Sequence, residues 1–293
     1  MGSGSWSTRE YACYNASLGR TYSADTGRIS GQTYESKKLD ESLNPSKFTL
    51  RECANNDEHP NTIPVILALD VTGSMGEACS ETAAALGVIM TKLYEKFKDI
   101  EFCVMGIGDL AYDVAPIQMS QFESDVRIAE ALDKVYMEHG GGSNAYESYT
   151  AAWYMGLHHT KLDCFDQQGR KGIIITMGDE PLNPYLPYEK LSKALGRTIQ
   201  GDVDTKELYE EASKKFDIFH IAVDSPHDCY SGYAKQIEKT FGKLLGDNYK
   251  VSTINALANV IEECISQSIE GTNVIGEVLP AEATVNENGE ICW

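Results

Sequence analysis

Asp70-Val71-Thr72-Gly73-Ser74 sets one carboxylate and two hydroxyls side by side, directly after the apolar run Ile63–Leu69. Two further oxygen donors stand at similar breaks in the chain. Ser143 lies in the turn His139-Gly140-Gly141-Gly142-Ser143-Asn144, and Asp179 follows the apolar stretch Ile173–Met177. Hydroxyl and carboxylate oxygens are hard donors, suited to Mg2+, or to Mn2+ or Ca2+ in its place. Other chemistries compete for the same residues. Asp70 at a strand end could attack phosphorus as a nucleophile, with magnesium as the catalytic ion. Thr72-Gly73-Ser74-Met75-Gly76 is one residue away from a G-x-S-x-G elbow, which would make Ser74 a nucleophile with His220 or His227 as base. In esterases of that kind an HGGG segment precedes the serine, whereas here it follows.

Positioning these groups falls to the elements around them. Ile63–Leu69 is an apolar run bounded by a glycine turn, the pattern of a buried and parallel strand. Similar runs at 101–108, 171–177 and 217–223, and a shorter one at 249–252, predict four more strands. Helical periods fill the intervals. Leu86, Ile89, Met90, Leu93 and Phe97 define a helix over 79–98, and further helices are predicted at 124–137, 145–159, 188–197, 205–216, 230–242 and 256–269. Ser124 is the candidate N-cap of the second, and residues 109–122 read as a loop around Pro116. Tyr146, Tyr149, Trp153 and Leu157 recur at helical spacing and read as core. Strands alternating with helices predict an α/β fold: a doubly wound, mostly parallel, Rossmann-like sheet with helices on both faces. In such a sheet the strand ends share one edge, so Asp70, Thr72, Ser74, Ser143 and Asp179 can converge there. Glu147 and Asp109 read as capping or solvated acids.

The chain of 293 residues divides by composition into an arm at 1–60, a main domain at 61–270 and a polar tail at 271–293. The arm is rich in Ser, Thr, Gly and Asn but carries Tyr11, Tyr14, Tyr22 and Tyr34, more aromatic character than a free linker has. It is expected to pack on the main domain, with KFTLRE at 47–52 as a possible edge strand. The net charge is −19, from 44 acidic and 25 basic residues, with no basic stripe to hold a nucleic acid. No apolar run has the length of a membrane span, and the first residues lack a secretory pattern, so the expectation is a cytoplasmic protein. The eight cysteines form no CxxC pair, and neither His158, His159 and Cys164 nor His227 and Cys229 has zinc spacing; reduced thiols are expected. No phosphate-binding loop is present, and Gly106-Ile107-Gly108 lacks the third glycine of a dinucleotide fingerprint.

The arrangement resembles the von Willebrand factor A (vWA) domain and its metal-ion-dependent adhesion site, in the intracellular prokaryotic or phage form. Asp70-Val71-Thr72-Gly73-Ser74 matches the family's Asp-x-Ser/Thr-x-Ser motif. Ser143 stands where the family places a threonine, and Asp179 follows the later buried strand two residues beyond the usual acid. The resemblance covers about 61–270. It implies a protein-binding module in which Asp70, Thr72, Ser74, Ser143 and Asp179 hold magnesium. An Asp or Glu of a partner protein, such as an AAA-type ATPase, would complete the shell, and no catalysis is implied. The same strand also resembles the Asp-Lys-Thr-Gly-Thr motif of haloacid-dehalogenase-like phosphatases and P-type ATPases, with Asp70 as nucleophile. There Thr72 or Val71 departs from the pattern, and Asn183 stands in place of the second late acid.

Overall fold

The computed structural model describes residues 4–138, 146–224, 230–276, 284–285 and 291–292. Its centre is a six-stranded sheet of β1 (Ile63–Asp70), β2 (Ile100–Ile107), β3 (Ile117–Met119), β4 (Gly172–Gly178), β5 (Phe216–Asp224) and β6 (Tyr249–Thr253), in the order β6-β5-β4-β1-β2-β3. The chain leaves β1 toward β2 and β3, then returns to the opposite side of β1 to lay down β4, β5 and β6. β1, β2, β4, β5 and β6 pair in parallel, whereas β3 runs antiparallel to β2.

The doubly wound, mostly parallel, vWA-like sheet expected from the sequence is therefore corrected to a mixed sheet. The reason lies in residues 108–116. A parallel return needs a crossover of a dozen or more residues, usually a helix. This stretch is shorter and has no helical period, so the chain folds straight back, and Ile117, Gln118 and Met119 all become buried. The predicted loop at 109–122 thus contains a strand. Of residues 47–52 only Arg51 and Glu52 enter a strand, Arg51–Cys53, paired in parallel with Thr160–Leu162 outside the main sheet.

Both faces of the sheet are packed, and the two-residue period of the strands decides what goes where. Val65, Leu67 and Leu69 of β1 join Phe102, Val104, Ile173, Ile175, Phe219 and Ile221 on one face. Ile66 and Ala68 join Cys103, Met105, Ile174 and Ile218 on the other. The first face is covered by α1 (Thr8–Ser17), α2 (Gly76–Lys96), α3 (Arg127–Lys134) and α8 (Leu257–Gly276). The second lies against α4 (Thr150–His159), α5 (Tyr188–Leu195), α6 (Thr205–Lys215) and α7 (Tyr230–Ile237). Among the described residues no helix is long and apolar enough to cross a membrane.

Local chemistry sets several boundaries differently from the sequence pattern. α4 begins at Thr150 rather than 145, because Ser148 N–H is drawn to the Gly108 carbonyl and Asn183 takes the Thr150 N–H. Ser124 does not cap α3. Its hydroxyl donates to the Gly4 carbonyl at 2.6 Å, while Asp125 Oδ1 accepts the Arg127 N–H.

The arm is built into the first core. Tyr11, Ile29, Tyr34 and Leu43 are buried in it. Arg20 fixes its course with a two-pronged ion pair to Asp133, at 2.6 and 2.7 Å, which Tyr14 joins through its hydroxyl at 2.8 Å. A close approach makes this packing possible: a Cβ on Gly87 of α2 would fall 2.5 Å from the Gly27 carbonyl and 2.7 Å from the Tyr11 ring.

Candidate functional site

Asp70 ends β1 and is fully buried, at the place where the strand order reverses between β1 and β4. Open α/β sheets bind ligands in the crevice at such a point. Its carboxylate is engaged on both oxygens. Oδ1 accepts the Thr72 N–H at 2.9 Å and the Thr72 hydroxyl at 2.6 Å, and Oδ2 accepts the Tyr149 hydroxyl at 2.7 Å. The Gly73–Met75 turn then lifts Ser74 toward the neighbouring strand end, where its hydroxyl donates to Asp179 Oδ1 at 3.2 Å. The structure thus brings together Asp70, Thr72, Ser74 and Asp179. Ser143, like the rest of the glycine turn at 139–145, lies outside the described residues.

Tyr149 is the residue that sequence reasoning placed elsewhere. It belongs to the aromatic stripe read as core, yet its hydroxyl reaches across to Asp70 and also accepts the Glu180 N–H at 3.3 Å. Room for it comes from Gly178, whose Cβ, were there one, would sit 2.1 Å from that oxygen. Nothing in a one-dimensional period distinguishes a tyrosine that buries only its ring from one that aims its hydroxyl at a sheet edge.

Two acids read as solvated or capping groups are instead buried. Glu147 is 5% exposed and Asp109 is 4% exposed. Glu147 Oε2 and Asp109 Oδ2 have no hydrogen-bond partner. Burial and the Asp179 charge push the Asp70 carboxyl up to about 7. Burial, then Asp70 and Glu180, raises Glu147 to about 10, and burial with Asp70 and Asp179 raises Glu180 to about 7. The charges that weigh most on these three carboxyls come from other acids. The edge is therefore a pocket of negative charge held partly by protons. Beside it, residues 32–37 of the arm, Thr72, Gly73 and residues 136–138 line a cavity of about 490 Å³.

Among the described residues the hydrolase reading finds no base. Ser74 is partnered by Asp179, and His220 is fully buried, bonded through Nδ1 to the Thr176 hydroxyl at 2.9 Å and stacked on Phe241 at 3.5 Å. Burial depresses its pKa to about 3, so the ring stays neutral. His227 lies outside the described residues.

No family model matches the chain, and no curated protein matches it. Among solved structures it is similar to the open conformation of the pilus adhesin SpaC from Lactobacillus rhamnosus GG, at 11% identity and a TM-score of 0.46, over 72% of this chain and 31% of the adhesin. It is also similar to a mutant of the PilB minor pilin from Streptococcus sanguinis, at 11% identity and a TM-score of 0.46, over 71% of this chain and 63% of the pilin. The chain thus spans less than two thirds of either protein.

These findings correct the expectations drawn from the resemblance. The assignment to the vWA family is not upheld, since no family model matches the chain. The cytoplasmic placement is also withdrawn: it rested on the absence of a long apolar run and of a secretory pattern, and an absence assigns no location. The metal-dependent docking module and its phosphohydrolase alternative are withdrawn as well. Among the described residues no group of three or more His, Cys, Asp or Glu is set to hold a metal ion, so the preformed metal-ion-dependent adhesion site is not found.

Proposed function

We propose that this chain is a non-enzymatic binding protein whose acidic pocket takes a divalent cation, Mg2+, Mn2+ or Ca2+, between the ends of β1 and β4. The observation that carries this reading is the meeting of Asp70, Thr72, Ser74 and Asp179 at one sheet edge, where the charges weighing most on Asp70, Glu147 and Glu180 come from other acids. Buried like charges disfavour one another's ionisation. A cation would relieve that repulsion directly. The fit is one of donor chemistry. Asp70 and Asp179 supply carboxylates, and the hydroxyls of Thr72 and Ser74 donate their protons to those carboxylates while keeping lone pairs for an ion. With two carboxylates and two hydroxyls the remaining positions fall to water, as magnesium in particular allows. Nothing in the geometry selects a protein partner, so the cation is the ligand argued for.

Calorimetric titration of the EDTA-stripped chain with MgCl2, MnCl2 and CaCl2 tests the proposal, with Asp70→Asn as the control. Binding by the wild type that the variant loses is the expected result. It should be accompanied by a rise in the unfolding free energy of about 2.7 kcal/mol at a hundredfold excess of ion over Kd. Equal heats from both proteins would overturn it.

A further inference from the structure

Three hydrogen bonds fill most of what the Asp70 carboxylate can accept. A carboxylate has about four lone-pair sites, shared between its oxygens. The Thr72 N–H and hydroxyl occupy Oδ1, at 2.9 and 2.6 Å, and the Tyr149 hydroxyl takes one site on Oδ2 at 2.7 Å. One site on Oδ2 is left. The same Tyr149 oxygen accepts the Glu180 N–H at 3.3 Å, one residue beyond Asp179. A single hydroxyl therefore ties the end of β1 to the segment that carries Asp179 off the end of β4. It has little freedom to leave. Tyr149 is 1% exposed, its ring packs edge-to-face against His220 and Phe241 at centroid distances of 5.3 and 5.7 Å, and it fills the gap that Gly178 leaves open.

We infer that Tyr149 is a positioning and specificity-determining residue of the cation site: its hydroxyl holds Asp70 to coordination through one oxygen and fixes the spacing between Asp70 and Asp179. The inference rests on the cation reading above and deepens it by saying which ion the pocket favours. Magnesium demands a near-octahedral shell at short distances, into which a carboxylate enters through one oxygen, whereas calcium takes more ligands and accepts carboxylates through both. A carboxylate tethered on both oxygens, with one lone pair to give, suits the first ion and hinders the second. Without the Tyr149 hydroxyl, Asp70 is held by Thr72 alone and the Glu180 N–H is released. The carboxylate can then turn to offer both oxygens, and the two strand ends can part to fit a larger ion. Hydrogen-bond partners of a ligating carboxylate are worth roughly 10- to 100-fold in metal affinity.

The test compares the wild type with Tyr149→Phe, which keeps the ring and loses the hydroxyl, by calorimetric titration of each EDTA-stripped chain with MgCl2 and CaCl2. Thermal melting of both in EDTA accompanies it. The wild type is expected to prefer magnesium. Tyr149→Phe should bind magnesium at least about 10-fold more weakly while calcium loses less, so that the preference falls. Looser packing alone would weaken both ions alike, and the ratio of the two affinities therefore reads the hydroxyl's role. A variant with the wild-type ratio, or a wild type that prefers calcium, would overturn the inference and leave the cation site standing. A variant that no longer melts cooperatively in EDTA would also overturn it, since the hydroxyl would then be a structural necessity. A wild type that binds neither ion would remove the cation reading itself, and this inference with it.

Discussion

Glu101 illustrates, at the scale of a single residue, how burial rather than composition sets a group's behaviour. It is the second residue of β2, at the edge opposite the candidate site, is fully buried, and neither carboxyl oxygen meets a nitrogen or oxygen donor. Burial lifts its pKa from 4.5 to about 7, with the Cys53 thiol and the His59 ring only partly offsetting the effect. The folded chain therefore holds a proton that the unfolded chain has released across that interval. Stability then falls as pH rises from about 4.5 toward 7 and levels off above. Glu101→Gln should flatten this part of the profile and raise stability at pH 8 by up to about 3 kcal/mol, given about 1.4 kcal/mol per pKa unit. Urea unfolding of both proteins at pH 5 and pH 8 measures it; a variant with the wild-type pH slope would show that Glu101 is ionised in the fold. The acids of the candidate site carry the same sign, and for them a bound cation would replace the proton.

Elements meet here through specific gaps in their side chains. α2 is long and largely apolar on its inner face, and Gly87 in its middle looks like a weak point by propensity alone, where alanine would gain about 1 kcal/mol. The arm reverses that expectation, because the Gly27 carbonyl and the Tyr11 ring occupy the space a Cβ would need. Gly87→Ala should therefore destabilise the chain by about 1–3 kcal/mol, the usual cost of overpacking. Thermal and urea unfolding would register the loss, and a gain in stability would mean that the arm is not seated on α2. Gly178 plays the corresponding part at the site, since only a residue without a Cβ lets Tyr149 reach Asp70.

Taken whole, the molecule is a mixed sheet with a core on each face, and the arm is a structural part of one of those cores. Tyr11, Ile29, Tyr34 and Leu43 are each buried there. At about 1.5–3 kcal/mol for each large apolar side chain, their removal would consume much of the 5–15 kcal/mol by which a domain is ordinarily stable. The buried Arg20–Asp133 pair adds to the cost, because Asp133 would be left without its guanidinium. A chain lacking residues 1–47 is expected to lose cooperative unfolding and to aggregate. Circular dichroism melting and size-exclusion chromatography would check this, and a soluble variant with the wild-type melting temperature would show the arm to be dispensable.

What the sequence determined by itself is what depends on neighbours along the chain. The apolar runs that became β1, β2, β4 and β5, the amphipathic period of α2, and the turn that carries Asp70, Thr72 and Ser74 off the end of β1 were all legible there, because burial of a strand or a helix face leaves a period in the residues themselves. The meeting of Ser74 with Asp179 followed from placing two strand ends on one edge. Tertiary structure alone decided the rest. It turned β3 back against β2, buried the carboxyls of Glu147 and Glu101, aimed the Tyr149 hydroxyl at Asp70 and threaded the arm across Gly87. Each of these depends on residues far apart in sequence occupying the same few ångströms, and a contact of that kind leaves no period for a linear reading to find.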